Sequence, residues 1–170
     1  TDTTAQVTKG ALTSARSGYN HKDGAYSSLV GYTAGGSTGG GAMTAVTDGL
    51  TFATDTTAQV TKGSMTASTY SYGGANSSAV AYFSGGKTVW VSTQTAKTDG
   101  LIFGTDTTAQ VTKGALTSAR DGCAGVNSSA VAYFGGGYTS SHLSETDGLA
   151  FTTDTTAQVT KGALTSARSG

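Results

Sequence analysis

The amino-acid sequence predicts an all-β fold made of repeated sheets, and three observations lead to this prediction. The phrase TDTTAQVTKG begins at residues 1, 54, 105 and 153, which gives the chain an internal period of about 50 residues. Within each period, apolar residues alternate with small or polar ones, as they do in a strand with one buried face. Finally, Gly residues or Thr clusters interrupt every segment that is long enough to form a helix.

The strands follow one another in the same order in every repeat. The first clear strand contains a Val and a Tyr on one face and ends in Gly-Gly: SSLVGYTAGG at 27–36, SSAVAYFSGG at 77–86 and SSAVAYFGGG at 128–137. The next is TDGLxF, at 47–52, 98–103 and 146–151. The last is TTAQVTKG, in which Ala58 and Val60 share the face that we expect to be buried. We expect the GG, DG and KG pairs between these strands to form tight turns with positive φ.

A unit of about 50 residues with about four strands is typical of a β-propeller blade, which buries its faces against neighbouring blades. We place the units of a single repeat domain at 1–53, 54–104 and 105–152, with the start of a fourth at 153–170. Three blades are too few for an ordinary ring. We therefore expect the chain to be part of a larger propeller; a ring formed by two chains and an open series of blades are the alternatives.

The repeats resemble the kelch family. YTAGG, YFSGG and YFGGG occupy the place of the kelch double glycine, and SAR at 14–16, 118–120 and 166–168 occupies the place of the Arg that often precedes the next blade. Phe residues stand where kelch repeats usually have Trp: Phe52, Phe103 and Phe151. The second repeat departs from the pattern, because Thr69 replaces the Arg. The resemblance implies a kelch-like β-propeller.

The repeats resemble still more closely the kelch-like arrays in tail and other structural proteins of marine bacteriophages, especially those of cyanobacteria, and this resemblance covers nearly the whole chain. It implies a non-enzymatic virion protein, part of a tail or fibre, that presents loops to a host-surface component such as a polysaccharide or a protein. Its other partners would be virion proteins or further copies of itself. The alternatives are a virion packing or decoration element and a cellular kelch-type protein–protein interaction module.

The composition argues against two classes of partner. Ten Lys and Arg balance ten Asp and Glu, so the chain lacks the basic surface of a nucleic-acid-binding protein or of a protein that binds anionic membranes. No apolar run approaches the roughly 20 residues that span a bilayer. A single cysteine, Cys123, cannot form an internal disulfide, and we expect a buried thiol.

We find no catalytic motif and expect no enzyme activity, no cofactor and no metal site. GGKT at 85–88 lacks the first Gly of a phosphate loop, because Ala81 stands there. The two histidines, His21 and His142, lie in non-equivalent segments, whereas a zinc site needs three or four ligands.

The charged residues that recur in the repeats have structural interpretations. We expect two sets of Asp to cap turns through their own backbone: Asp2, Asp55, Asp106 and Asp154 in TDTT, and Asp48, Asp99 and Asp147 before Gly. We expect the recurrent Arg to bind strand carbonyls or a neighbouring carboxylate: Arg16, Arg120 and Arg168. A ring of positive charge that receives acidic glycans is the alternative.

The segments that vary between repeats predict the binding surface. They are the stretches between Gly-Gly and TDG, at 37–46, 87–97 and 138–145, and the stretches after the Arg position, at 17–26, 70–76 and 121–127. Constant strands with variable loops are typical of a binding scaffold, and exposed aromatic side chains can stack on sugars or anchor a protein. The candidate ligand-contact residues are therefore Tyr19, Tyr26, Tyr70, Tyr72, Trp90, Tyr138 and His142.

Overall fold

The computed structural model describes residues 8–17, 24–38, 41–88 and 93–169. The described residues form three antiparallel four-stranded sheets, so the all-β prediction is confirmed. In this part of the chain, the only helical structure is one 3-10 turn per repeat: Phe52–Thr54, Phe103–Thr105 and Phe151–Thr153. None of the described residues belongs to a helix with the length and apolar character needed to cross a bilayer.

Each sheet is a meander, in which consecutive strands are hydrogen-bonded neighbours. The first sheet contains β1 (Ala25–Tyr26), β2 (Val30–Ala34), β3 (Thr47–Thr51) and β4 (Val60–Lys62). The second contains β5 (Gly73–Asn76), β6 (Val80–Ser84), β7 (Thr98–Ile102) and β8 (Val111–Lys113). The third contains β9 (Ala124–Asn127), β10 (Val131–Gly135), β11 (Thr146–Ala150) and β12 (Val159–Thr160).

The sheets are offset from the units of the sequence. The VTK of each repeated phrase forms the last strand of the sheet that precedes it, as Val60–Lys62 does beside Thr47–Thr51. The chain then crosses to the next sheet, where Thr66 binds Asp99 of β7. The phrase therefore supplies the last strand of one sheet and leads into residues 63–72, the crossing segment that reaches the next sheet.

The turn predictions hold for Gly-Gly and fail for KG and for the DG of each TDGL motif. Gly85 and Gly86 have φ values of 74° and 98°, as a left-handed turn after β6 requires. The Gly of each TDGL motif instead lies in the middle of a strand, where Gly100 pairs with Val111. The KG glycines also lack a positive φ. At Gly63, a Cβ atom would overlap the carbonyl of Thr108 in the next repeat, so this glycine permits a close approach of two backbones.

The buried face of the VTK strands is the opposite of the one expected. Val60, Val111 and Val159 are about half exposed, whereas Gln110 and Gln158 are almost fully buried. Gln110 donates from Nε2 to Oγ1 of Thr47 at 2.8 Å and to the carbonyl of Gly63 at 3.2 Å, and both acceptors belong to the first sheet or directly follow it. Hydrogen bonding across two repeats therefore determines which side of the strand is buried.

The three sheets stack face to face. Tyr32 and Ala34 of the first sheet form one apolar cluster with Phe83 and Leu101 of the second. An equivalent cluster lies between the second and third sheets. We call the face that each sheet turns toward the preceding sheet its leading face, and the opposite side its trailing face.

A polar network accompanies each apolar cluster, and we call the two together a sheet joint. At the first joint, the rings of Tyr32 and Phe103 stack with centroids 5.5 Å apart. The Tyr32 hydroxyl donates to Asp106 at 3.0 Å, and Lys62 Nζ lies 2.9 Å from the same carboxylate. Burial, together with the Asp106 carboxylate, raises the pKa of Tyr32 to about 12. The second joint repeats these contacts with Tyr82, Phe151, Asp154 and Lys113.

Candidate binding surface at the variable end of the sheets

The meander topology places the variable loops that follow Gly-Gly at one end of the sheets. In each sheet, the second strand runs to this end, the loop turns there, and the third strand returns. The variable stretch after the Arg position includes the first strand, so only its beginning lies at this end and the rest runs along the sheet. We call the end that carries the loop after Gly-Gly the variable end. The Ser-Ser turns and the 3-10 turns lie at the opposite end, the constant end.

The same pairing scheme holds the variable loops in all three repeats. In the third repeat, Asp121 pairs with Tyr138 and Tyr138 pairs with His142. The equivalent trios are Ser17, Ser37 and Met43 in the first repeat, and Tyr70, Lys87 and Gln94 in the second. Backbone pairing places no demand on side-chain identity, so these positions can vary without loss of the loop shape.

Tyr138 and His142 form the aromatic pair of the variable end. Both are exposed, and their rings meet edge to face with centroids 5.4 Å apart. The pair is held by the bridge between their backbones, and by the bonds between Tyr138 and Asp121 at 2.8 and 3.1 Å. Two amphipathic rings held in this way offer apolar faces for stacking and polar edges for hydrogen bonds.

A polar group connects the loops of the second and third repeats beside this pair. Gln94 donates from Nε2 to Asp121 Oδ1 at 3.2 Å and to the carbonyl of Thr139 at 3.1 Å. Lys87 Nζ lies 3.3 Å from Asp121 Oδ2. Sequence reasoning did not select Lys87, Gln94 or Asp121. All three lie in its variable segments, but only the fold shows that loops of neighbouring repeats touch.

Two of the predicted contact residues are buried, and their assignment to the binding surface is wrong. Tyr70 and Tyr72 are 6% and 2% exposed. The Tyr72 hydroxyl donates to the carbonyl of Ala34 and accepts from the amide of Ala34, and its ring packs edge to face on Phe83. Tyr72 therefore fills the joint between the first two sheets. Burial also raises the pKa of Tyr70.

The remaining candidates divide between the two ends and the undescribed residues. Tyr26 is 59% exposed, but it ends β1 at the constant end, away from Tyr138 and His142. Tyr19 and Trp90 lie outside the described residues. Of the five candidates that the structure describes, it thus brings together two, and both belong to the third repeat.

The recurrent Asp residues are not turn caps. Asp48, Asp99 and Asp147 lie in strands and are fully or almost fully buried, where each receives a Thr side chain and amide from the crossing segment. Of the TDTT set, Asp2 lies outside the described residues, and the others pair with a Lys of the preceding repeat. Hydroxyls such as that of Thr108 cap the 3-10 turns instead.

Two of the three recurrent Arg side chains behave as the structural interpretation expects. Arg16 pairs with Asp48 at 2.8 Å and donates to the carbonyl of Thr33 at 3.1 Å. Arg120 is fully buried, lies 2.8 Å from Asp147 and 2.9 Å from Glu145, and donates to the carbonyl of Phe134. Arg168 is exposed and makes no ion pair with any described residue.

The described side chains of the variable end include rings that can stack and groups that can form hydrogen bonds. Among the described residues, no group of three or more His, Cys, Asp or Glu side chains is arranged to hold a metal ion. The Cys123 thiol is buried, as expected, and lies 3.4 Å from the carbonyl of Ser84.

No protein-family model matches this chain, and no curated protein matches it.

Proposed function

We propose that this chain is a segment of a kelch-like β-propeller in a bacteriophage virion, part of a tail or fibre, and that it is a non-enzymatic binding scaffold. Each of its sheets is one blade. The variable end presents loops to a polysaccharide of the host surface. The resemblance of the repeats to structural proteins of marine phages supports the virion location, and the stacked meander sheets support the propeller.

The observation that carries the binding role is the separation of constant from variable residues in space. The constant side chains are used in the joints, where Lys62, Asp106 and Gln110 connect consecutive sheets. The variable loops that follow Gly-Gly lie at one end, where backbone pairing holds them and leaves their side chains free to change. A scaffold under these constraints can change its ligand without losing its fold.

The ligand class follows from the residues that the variable end exposes. Tyr138 and His142 offer ring faces and polar edges, while the Lys87–Asp121 pair beside them leaves little net charge. This combination suits a neutral sugar better than a polyanion. Each loop would contribute a weak contact, and the contacts would sum over repeats and over copies on the particle.

The experiment is binding of the purified chain to an array of bacterial capsular and lipopolysaccharide O-chain polysaccharides. The variant Tyr138→Ala/His142→Ala should lose at least about tenfold in retention, with the strand signal in circular dichroism unchanged. The matched control is Tyr26→Ala, which removes a still more exposed ring from the constant end and should bind like the unchanged chain. Retention that is lost in the control, or retained in the double variant, would place the ligand elsewhere.

A further inference from the structure

We propose that the constant end binds a Pro-rich segment of a partner protein in the polyproline II conformation. Every third side chain of this segment enters one of the clefts that lie between successive sheets. This binding is independent of the ligand of the variable end, because the two surfaces lie at opposite ends of the sheets.

Two equivalent clefts lie at the constant end, one between the first and second sheets and one between the second and third. Their volumes are about 340 Å³ and about 370 Å³, within the range of small-ligand sites. In both clefts, the Ser-Ser turns of two neighbouring sheets form walls, and a Phe lies beside them. The first contains the turns at 27–28 and 77–78 with Phe103, and the second contains those at 77–78 and 128–129 with Phe151.

The second Ser of each turn is available to a ligand. In the second sheet, Ser77 Oγ accepts from the amides of Ala79 at 3.2 Å and Val80 at 3.0 Å, and these bonds form the turn. Ser78 takes no part in them and is exposed, as is the equivalent Ser of the other two sheets. The residue that follows is Leu in the first repeat and Ala in the others, whereas this Ser does not vary. A constant Ser that the turn does not need indicates another role for its hydroxyl.

The clefts offer hydrogen-bond donors and apolar surface without charge. None of the residues that line them is charged. Ser hydroxyls can donate to carbonyls, and the half-buried rings of Phe103 and Phe151 can contact an apolar ring. Pro-rich segments in the polyproline II conformation supply both partners. Their backbone has no internal hydrogen bonds, so its carbonyls are free, and their rings pack in aromatic-lined grooves.

The spacing of the clefts fits this conformation. Sheets that pack face to face lie about 10 Å apart, and the clefts recur once per sheet joint. A polyproline II helix has three residues per turn and rises about 3.1 Å per residue, so every third residue faces the same side at intervals of about 9 Å. On one side of a β-strand, side chains recur at about 7 Å and 13 Å, which does not fit. An α-helix repeats after seven residues, near 10.5 Å, but its carbonyls are already bonded within the helix.

The segment has to come from outside these 170 residues, because none of them is a proline. Each sheet joint accommodates one three-residue step of the segment. The affinity should therefore increase with the number of clefts that the segment spans, as it does in other multivalent contacts.

The test is titration of fluorescein-labelled oligoprolines of three and six residues with the 170-residue chain, followed by fluorescence anisotropy. Six residues reach both clefts and three reach one, so the dissociation constant should fall at least about tenfold with the longer peptide. A six-residue Gly-Ser peptide is the ligand control. It has the same number of carbonyls but is flexible and has no rings, so it should bind at least about tenfold more weakly than the six-residue oligoproline.

Substitutions in the chain locate the site. Ser78→Arg should abolish binding, because Ser78 lines both clefts and a long side chain would fill them. Thr107→Arg is the matched control, since it introduces the same residue at an exposed position of the constant end outside the clefts, and it should bind like the unchanged chain. The triple variant Ser28→Ala/Ser78→Ala/Ser129→Ala keeps the first Ser of each turn and removes the donors. It should bind at least about tenfold more weakly.

The strand signal in circular dichroism verifies that each variant is folded. The proposal would be overturned if neither oligoproline bound, if the two lengths bound equally well, or if the Gly-Ser peptide bound as tightly as the oligoproline. Unchanged binding by Ser78→Arg or by the triple variant would also overturn it, and so would an equal loss in Thr107→Arg.

Discussion

Lys97 Nζ lies 3.8 Å from Oδ1 of Asp99, in the one described repeat whose crossing segment carries Thr instead of Arg. Where Arg120 binds Asp147 in the third repeat, the position equivalent to Lys97 is an acid, Glu145, which binds the same Arg. In the second repeat, the cation beside the buried Asp is therefore Lys97, which directly precedes β7, and not an Arg of the crossing segment. The buried Asp has a cationic neighbour in both arrangements.

This compensation predicts a double-mutant rescue. Lys97→Glu should place a second carboxylate beside Asp99, which is 2% exposed, and lower the free energy of unfolding by about 2 kcal/mol. Thr69→Arg in the same chain should restore most of the loss, because it recreates the Arg, Glu and Asp of the third repeat. Urea unfolding of the two single variants and the double variant measures the coupling. Additive effects would show that the positions act independently.

The ion pairs of the repeated phrase should differ in strength according to their burial. Asp106→Asn removes the charge that binds Lys62, a pair whose side chains are 13% and 17% exposed. We expect a loss of about 2 kcal/mol. Asp55→Asn is the matched control, since its pair with Lys9 has the same 2.9 Å separation but exposures of 46% and 37%. It should cost less than about 1 kcal/mol. Thermal unfolding at low protein concentration measures both, and equal losses would contradict this explanation.

The inverted burial of the VTK strands predicts that an apolar substitution destabilises the chain. Gln110→Leu keeps the approximate size of the side chain but leaves Oγ1 of Thr47 and the carbonyl of Gly63 without their donor. The free energy of unfolding should fall by about 1–3 kcal/mol. Val111→Thr is the control at the adjacent exposed position and should change it by less than about 0.5 kcal/mol. A neutral or stabilising effect of Gln110→Leu would refute the role of these bonds.

The features of the fold that depend on the local sequence pattern could be predicted. Alternation of Val80 and Tyr82, the Gly-Gly turns and the period of the repeats depend on neighbouring residues, and they led to the correct all-β fold. The failures concern contacts between repeats. The sequence around Asp99 is typical of a turn, but in the fold this Asp is buried and binds Thr66 of the crossing segment. Val60 was expected in the core, but Gln side chains that connect two sheets occupy the buried side of these strands.

The candidate site was only partly predictable for the same reason. The variable segments could be identified from the sequence, and the fold places those that follow Gly-Gly at one end of the sheets. Whether an aromatic side chain is exposed depends on the neighbouring sheet. Tyr72 is buried because the first sheet packs on it, whereas Tyr138 remains exposed. Lys87 and Asp121 are distant in sequence and meet only because consecutive sheets stack.

Glu145 should stabilise the fold at neutral pH more than it does in acid. A hydrogen bond from the Thr117 hydroxyl, assisted by Ser118 and by Arg120, lowers the pKa of this carboxyl from its usual 4.5. The folded state therefore favours the ionised form. Its contribution to stability is complete above pH values near the unfolded pKa, and is lost as the pH falls through the folded pKa.

Glu145→Gln removes this ionisation but leaves an acceptor for Thr117. The variant should unfold at a lower temperature than the unchanged chain at neutral pH, and the difference should shrink as the pH falls below the usual pKa of Glu. Calorimetry of both chains across this range is the measurement. The sign is the informative result: a difference that grows as the pH falls would mean that the neutral carboxyl is the form preferred beside Arg120.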